Sequence, residues 1–153
     1  MADVDVTRGG TTGHPSRRGV RNVYLVERTF DVADWVTAKG SALASGDVIQ
    51  AMDIPAETYV LAAGVEVLTA LNGTTPTGDL GYGGAVDVFA DGGDLATTGY
   101  LALGTNGKAS ASAKFFTAAD TLDLKLAFSG NVTSGVVRIF AIMCDVAGVD
   151  ETP

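Results

Sequence analysis

TLDLKLAF, residues 121–128, is the stretch that decides the fold class. Leu122, Leu124 and Leu126 alternate there with Asp123 and Lys125. Because successive side chains of a strand point to opposite faces, this period of two predicts a β-strand with one buried face. The turn-forming sequence SGNVTSG follows and leads into VVRIFAIMCDV, which is apolar on both faces apart from one arginine. We therefore expect an antiparallel hairpin, with its second strand central in a sheet.

Strand-like segments recur along the chain at intervals of about 8–12 residues. GDVIQAMDI and YVLAAGVEVLTAL flank a connection with Pro55, AVDVFA lies between GYGG and DGGD, and GYLALG and ASASAKFF read as a hairpin around Asn106-Gly107. The chain has 20 glycines among 153 residues, well above the usual share of about 7%, which indicates many turns. These features predict an all-β fold with roughly eight strands, a single antiparallel β-sandwich of jelly-roll-like type. We assign residues 22–149 to this domain, 1–21 to an extended N-terminal arm and 150–153 to a short C-terminal tail.

Two further segments give local expectations. NGTTPTG, residues 72–78, is rich in turn formers and predicts a loop. DVADWVTAKGSAL, residues 31–43, has some helical character, but its valines, its threonine and Gly40 disfavour a helix. A helix, a short strand and an irregular connection all remain open for this segment.

Charge is distributed unevenly between the arm and the domain. Residues 1–28 hold five arginines against three acidic residues, a net charge of +2, whereas the remainder holds five basic and fifteen acidic residues, a net of −10. A tail whose charge opposes that of the body indicates a partner of its own. We expect the arm to dock onto that partner through a set of basic residues: Arg8, His14, Arg17, Arg18 and Arg21. The overall charge of −8 argues against nucleic acid or an anionic membrane as partner of the domain.

The residues for catalysis are missing from this sequence. The single histidine, His14, lies in the Gly/Thr/Ser-rich arm, where nothing would hold it in a catalytic geometry. The single cysteine, Cys144, lies in an apolar run and is expected to be a buried thiol. We therefore predict no enzyme activity, no cofactor and no zinc site. The longest apolar runs contain charges and are too short to span a bilayer, so no membrane partner is expected.

Four aspartates cluster in sequence around a glycine-rich loop: Asp79, Asp87, Asp91 and Asp94. Calcium takes six to eight oxygen ligands, which loop carboxylates and carbonyls can supply. The spacing of an EF-hand loop is absent, however, and Asp and Gly are also the ordinary residues of β-turns. Turn chemistry is therefore the preferred interpretation, and a bound cation is the alternative.

Three segments carry a resemblance to a known family: GDVIQAMDIPAETYVLAAGVEVLTAL, DLGYGGAVDVFADGGDL and FFTAADTLDLKLAFSGNVTSGVVRIFAIMCDV. Together they resemble the small capsid decoration, or cement, proteins of tailed bacteriophages, especially of marine and cyanobacterial phages. The resemblance runs from Gly46 to Val146 and rests on the order of the segments. It implies a β-sandwich without an active site, commonly a homotrimer, on the outer surface of the virion capsid. There it would bridge subunits of the major capsid protein after synthesis in the host cytoplasm, with the N-terminal arm as a docking strap.

Two other functions stay open at this stage. Head-fibre, tail or knob components of a virion have similar β domains. A carbohydrate-binding β-sandwich would use the aspartate loops to hold calcium and Tyr82 or Tyr100 to stack on a sugar ring.

Overall fold

The computed structural model describes residues 23–102 and 113–146, which form nine strands and one helix. The elements in chain order are β1 (Val23–Asp31), α1 (Val32–Lys39), β2 (Val48–Ile54), β3 (Thr58–Thr69), β4 (Thr74–Tyr82), β5 (Ala85–Asp94), β6 (Leu101–Ala102), β7 (Lys114–Phe116), β8 (Asp120–Ser129) and β9 (Val136–Asp145).

The nine strands form two packed sheets, and the chain crosses between them several times. The first sheet has the order β1–β9–β3, with β6 and β7 both paired to the remaining edge of β3. The second sheet has the order β2–β8–β4–β5, and every strand pair in both sheets is antiparallel. This order is that of a double-sheet jelly roll, so the expected all-β antiparallel sandwich is confirmed.

The core lies between the two sheets. In β8, Leu122, Leu124 and Leu126 are fully buried, and they face inward from the second sheet as their period of two predicts. Val137 and Ile139 of β9 are fully buried on the opposite side, within the same apolar cluster. Full burial of such a side chain is worth roughly 1.5–3 kcal/mol relative to exposure. The burial of these alternating apolar side chains between the sheets therefore contributes strongly to the stability of the fold.

The prediction that residues 121–146 form a hairpin is wrong. β8 pairs with β2 and β4, whereas β9 pairs with β1 and β3 in the other sheet. The connection between them crosses the end of the sandwich, where Val132 is buried and bridges to Leu43. The two strands therefore meet through their apolar inner faces, while their backbone hydrogen bonds go to other strands. The predicted central position of β9 is confirmed, because it lies between β1 and β3.

A second hairpin was expected around Asn106-Gly107, which lie outside the described residues. The flanking strands β6 and β7 do not pair with each other, because both add to β3 at successive positions along its edge. The chain there continues one edge of the first sheet in two short pieces.

The loop predicted for residues 72–78 is mostly strand. β4 begins at Thr74 and contains Pro76, whose missing N–H falls within a register shift between Thr74 and Thr77 in the pairing with β8. The carbonyl of Pro76 accepts a hydrogen bond of 2.9 Å from the backbone N–H of Leu95. A proline is tolerated here because the β8 ladder is already interrupted at its position.

The segment at residues 31–43 contains a helix of eight residues. Asp31 caps its start by accepting a hydrogen bond of 2.9 Å from the N–H of Ala33. Gly40 ends it with a φ of 73°, the left-handed conformation that glycine adopts without a steric penalty. Val32 and Trp35, three positions apart, are buried against the sandwich. Capping and burial together outweigh the modest helix propensity of valine and threonine.

Candidate assembly surfaces

The sequence predicts functional residues in three places, and the structure describes only some of them. The arm residues Arg8, His14, Arg17, Arg18 and Arg21 all lie outside the described residues, as does the C-terminal tail at 150–153. The docking role of the arm therefore stays a prediction. The surfaces described below belong to the sandwich domain.

The outer face of the first sheet carries an apolar patch. In β1, Val23 and Leu25 are each 59% exposed, a large fraction for aliphatic side chains in a strand. The register places Val23 beside Cys144 and Leu25 beside Ile142, on the side of β9 that faces away from the core. We call this surface the first-sheet patch and define it by its larger side chains: Val23, Leu25, Tyr59, Phe115, Phe140 and Ile142.

Aromatic rings extend the patch across β3 to the far edge of the sheet. Tyr59 of β3 and Phe115 of β7 stack with their ring centroids 4.6 Å apart, and Tyr59 remains 36% exposed. Leu61, at a register shift of β3 against β9, is also exposed, at 37%. The solvated face of an antiparallel sheet is normally polar, so a continuous apolar surface of this kind indicates an interaction site.

One ion pair borders the patch. Arg138 of β9 donates a hydrogen bond of 2.9 Å from Nε to Glu66 of β3, and its Nη2 contacts the same carboxylate oxygen. The hydrogen bond to Glu66 raises the pKa of Arg138, and Glu27 of β1 adds a smaller effect in the same direction. The positive charge is thus matched locally, and the bordering surface carries little net positive charge to repel or attract a partner.

The outer face of the second sheet is different in character. Asp79 of β4 lies beside Lys125 of β8, whereas Asp123 of β8 is buried, at 4% exposed, and accepts a hydrogen bond of 2.7 Å from the hydroxyl of Thr121. Asp53 of β2 is exposed on the same sheet. This face follows the usual alternation of buried apolar and outward polar residues. The two faces of the sandwich therefore offer a partner an apolar surface on one side and a polar surface on the other.

The four aspartates of the predicted cation site lie along β4 and β5. Asp79 accepts a hydrogen bond of 2.8 Å from the N–H of Gly92, where β5 bulges away from β4. Asp94 accepts one of 2.7 Å from the N–H of Ala96. Within residues 23–102 and 113–146, no three side chains of the metal-binding types converge closely enough to hold a metal ion. Cation binding by Asp79, Asp87, Asp91 and Asp94 stays a prediction, and the contacts of Asp79 and Asp94 are those of turn chemistry.

The tyrosines proposed to stack on a sugar and the single cysteine pack against the core. Tyr82 packs edge-on against Phe116, with ring centroids 5.0 Å apart, and the Lys114 amino group lies 5.4 Å from the Tyr82 ring centroid. Tyr100 is half-buried against the apolar cluster. Cys144 is a buried free thiol, as expected. In the described part of the chain, no helix is both long and apolar enough to cross a membrane.

A groove of about 630 Å³ opens beside α1, between the edges of the two sheets. Its walls are β1 at residues 28–30 and β2 at residues 48–50. Each of these strands is the terminal strand of its sheet. Trp35, Phe30, Ile49 and Leu43 supply apolar lining.

Sequence reasoning missed both the first-sheet patch and the groove. The signal for the patch is present in VYLVERTFD, where Val23 and Leu25 are apolar as well as the alternate residues Tyr24 and Val26. An edge strand with two apolar faces needs a second partner besides the core. The groove left no signal of this kind, because it depends on the tertiary placement of two strand edges.

Comparison with known proteins gives structural matches alone. No protein-family model and no curated protein matches the chain. The fold is shared with chains of phage capsid structures. A chain of the cyanophage Pam1 capsid asymmetric unit matches with a TM-score of 0.57 at 15% identity, over 95% of this chain and 99% of that one.

Two further matches have the same character. A chain of the Ralstonia phage GP4 capsid has a TM-score of 0.54 at 16% identity, over 89% of this chain and 91% of that one. A chain of the acidic stable capsid of the Helicobacter pylori bacteriophage KHP30 has a TM-score of 0.51 at 18% identity, over 80% of this chain and 90% of that one. At these identities the likeness establishes a common fold. It extends over nearly the whole length of each compared chain.

Proposed function

We propose that this chain is a non-enzymatic structural protein of a phage virion that decorates the outer face of the capsid. The observation that carries the proposal is the first-sheet patch, an exposed apolar surface on a domain whose described residues form no metal-binding cluster. The shared fold with chains of three phage capsid structures supports the same conclusion.

In this role the chain acts as cement. It binds neighbouring subunits of the major capsid protein and bridges them, so that the assembled shell is favoured over its separate parts. A ligand that binds only the assembled lattice stabilises it by RT ln(1 + [L]/Kd) for each site. A homotrimer gains further from multivalency, because each bound protomer raises the effective concentration of the next.

The apolar patch and the basic arm make different contacts in this role. The first-sheet patch joins copies of this chain to each other, because acidic copies repel least where their facing surfaces are apolar. The arm reaches the major capsid protein, with Arg8, Arg17, Arg18 and Arg21 meeting carboxylates on its surface. Such exposed contacts are screened over about 8 Å at physiological ionic strength, so binding weakens as salt is added.

A binding assay tests this proposal. Shells of the partner capsid protein are mixed with the full-length chain and with a variant that lacks residues 1–21, and the bound fraction is measured by co-sedimentation. The truncated variant is expected to keep its circular-dichroism spectrum and oligomeric state but to lose capsid binding. A matched full-length variant with Arg8, Arg17, Arg18 and Arg21 replaced by Gln separates the loss of charge from the loss of chain.

Quantitative mass spectrometry of purified virions gives the second readout. A decoration protein is expected at a copy number comparable to that of the major capsid protein. Only a few copies for each virion would indicate a tail or fibre component and would contradict the decoration role. Capsid binding that is unchanged by the truncation would contradict the role of the arm.

A further inference from the structure

The groove between β1 and β2 has the features of a site for one more β-strand. β1 pairs only with β9 and β2 only with β8 among the described residues, so each presents a free backbone edge to the groove. A strand edge offers a row of N–H and C=O groups to an incoming extended segment. The apolar side chains of Trp35, Phe30 and Ile49 line the space between the two sheets. An occupant therefore needs to be extended and apolar on one face.

The first residues of this chain have that pattern. In MADVDVT, Ala2, Val4 and Val6 alternate with Asp3 and Asp5. This period of two is typical of a strand with one buried face. Of the other segments outside the described residues, AGVDETP at 147–153 lacks the alternation, and ASAS at 109–112 alternates only alanine with serine and has no larger apolar side chain.

We propose that residues 2–7 of this chain dock as an additional strand in the groove between β1 and β2 of the same chain. Val4 and Val6 pack towards Trp35 and Phe30, which line the groove, and Asp3 and Asp5 point to solvent on the opposite face of the added strand. The added strand extends the first sheet along the free edge of β1.

The length of the intervening chain fits this arrangement. The β1 wall of the groove begins at Arg28, five residues after Val23. At about 3.3 Å per residue this is a span of roughly 17 Å. Residues 8–22 contain four glycines, and a glycine-rich chain of this length has a root-mean-square end-to-end distance of about 20 Å. A tether whose length matches its span gives the highest effective concentration, which favours the same chain over a neighbouring copy.

Docking of residues 2–7 would restrict the positions available to the arginines of the arm. The arginines of residues 8–22 then lie in a loop that is fixed at both ends. The inference stands independently of the proposed function, because it concerns the isolated protein.

Disulfide trapping tests the docking and identifies the chain that supplies the strand. In a Cys144→Ala background, Val4→Cys is combined with Arg28→Cys or Ile49→Cys, which lie on the inner faces of the two groove walls, or with Ala127→Cys on exposed β8 as the control. We expect an intrachain disulfide to a groove wall, mapped by mass spectrometry, and none to Ala127→Cys. Interchain disulfides would overturn the same-chain assignment, since a neighbouring copy would then supply the strand. No disulfide to either wall, or equal yield with the control, would overturn the docking itself.

A second measurement uses the only tryptophan of the chain, Trp35, as a reporter of the groove. The double variant Val4→Asp/Val6→Asp is expected to increase acrylamide quenching of Trp35 and to abolish the protection of the β1 edge from hydrogen exchange. Asp3→Asn/Asp5→Asn alters the solvent face of the same segment and should leave both readouts unchanged. Equal behaviour of the two double variants would contradict the proposal.

Discussion

Tyr24 of β1 and Asp145 of β9 are joined by a hydrogen bond of 2.5 Å, across 121 positions of sequence. The same carboxylate oxygen accepts a hydrogen bond of 3.0 Å from the hydroxyl of Thr58 in β3. One aspartate thus ties together three neighbouring strands at the end of the first sheet. Partial burial, and then the hydrogen bond to Asp145, raise the pKa of Tyr24 to about 12 from its usual value near 10.

This shift predicts a dependence of stability on alkaline pH. A raised pKa in the folded state stabilises the protein fully below pH 10, and the contribution is lost as the pH rises from 10 to 12. The variant Tyr24→Phe is expected to show a shallower loss of stability over this interval than the wild type, measured as the urea midpoint at each pH. Tyr59→Phe, on the outer face of the same sheet, serves as the control and should keep the wild-type slope. Parallel curves for Tyr24→Phe and the wild type would contradict the assignment.

Gly81, near the end of β4 beside the turn into β5, has no space for a larger side chain. A Cβ atom at Gly81 would lie 2.0 Å from the carbonyl oxygen of Ala85 and 2.5 Å from the carbonyl carbon of Val86. Because backbone atoms cannot move aside cheaply, Gly81→Ala is expected to lower the free energy of unfolding by about 3 kcal/mol or more. Gly84→Ala is the matched control, since its Cβ meets nothing within 4 Å, and its effect should stay within about 0.5 kcal/mol. Urea unfolding measures both, and equal midpoints would contradict the structure of this turn.

The first-sheet patch predicts an effect on association that is separate from stability. Leu25 is 59% exposed, so Leu25→Glu should change the free energy of unfolding of a protomer by only about 0.5 kcal/mol. In the proposed oligomer the new charge would be desolvated in an apolar interface, so Leu25→Glu is expected to weaken the association of copies relative to the wild type. Thr29→Glu adds the same charge on the same face of β1, beside Arg138, and should leave association intact. Sedimentation velocity over a concentration series compares the two variants. The same sedimentation behaviour for both would contradict a role of the patch in association.

Asp79 gives a prediction that bears on the cation hypothesis. Its carboxylate accepts a hydrogen bond from Gly92 at the bulge of β5, so Asp79→Ala is expected to cost about 1 kcal/mol of unfolding free energy. If the contact is only that of a turn, calcium leaves the thermal midpoint of the wild type and of Asp79→Ala unchanged. A midpoint that rises with calcium in the wild type and not in Asp79→Ala would instead establish a cation site in these loops.

Much of the local structure could be predicted from particular residues. The leucines of β8 alternate because one face of that strand is buried, and Asp31 and Gly40 have the properties of helix caps. The central position of β9 follows from its apolar faces. The assignment of each strand to a sheet could not be predicted in this way. A period of two gives the buried face of β8 and of β9, but it is silent on whether their backbones pair with each other.

The candidate surfaces also depend partly on the sequence alone and partly on the tertiary structure. The sequence by itself determined the alternation that makes this chain a β-sandwich, the acidic character of its domain and the opposite charge of its N-terminal segment, because these depend on residue types and their spacing. Only the tertiary structure decided that Val23 and Leu25 join Phe140 and Ile142 in one surface, and that β1 and β2, the terminal strands of the two sheets among the described residues, face each other across a groove. The physical reason is that backbone hydrogen bonds carry no side-chain signature. The partner of each strand is therefore settled by how all of the apolar faces pack together at once.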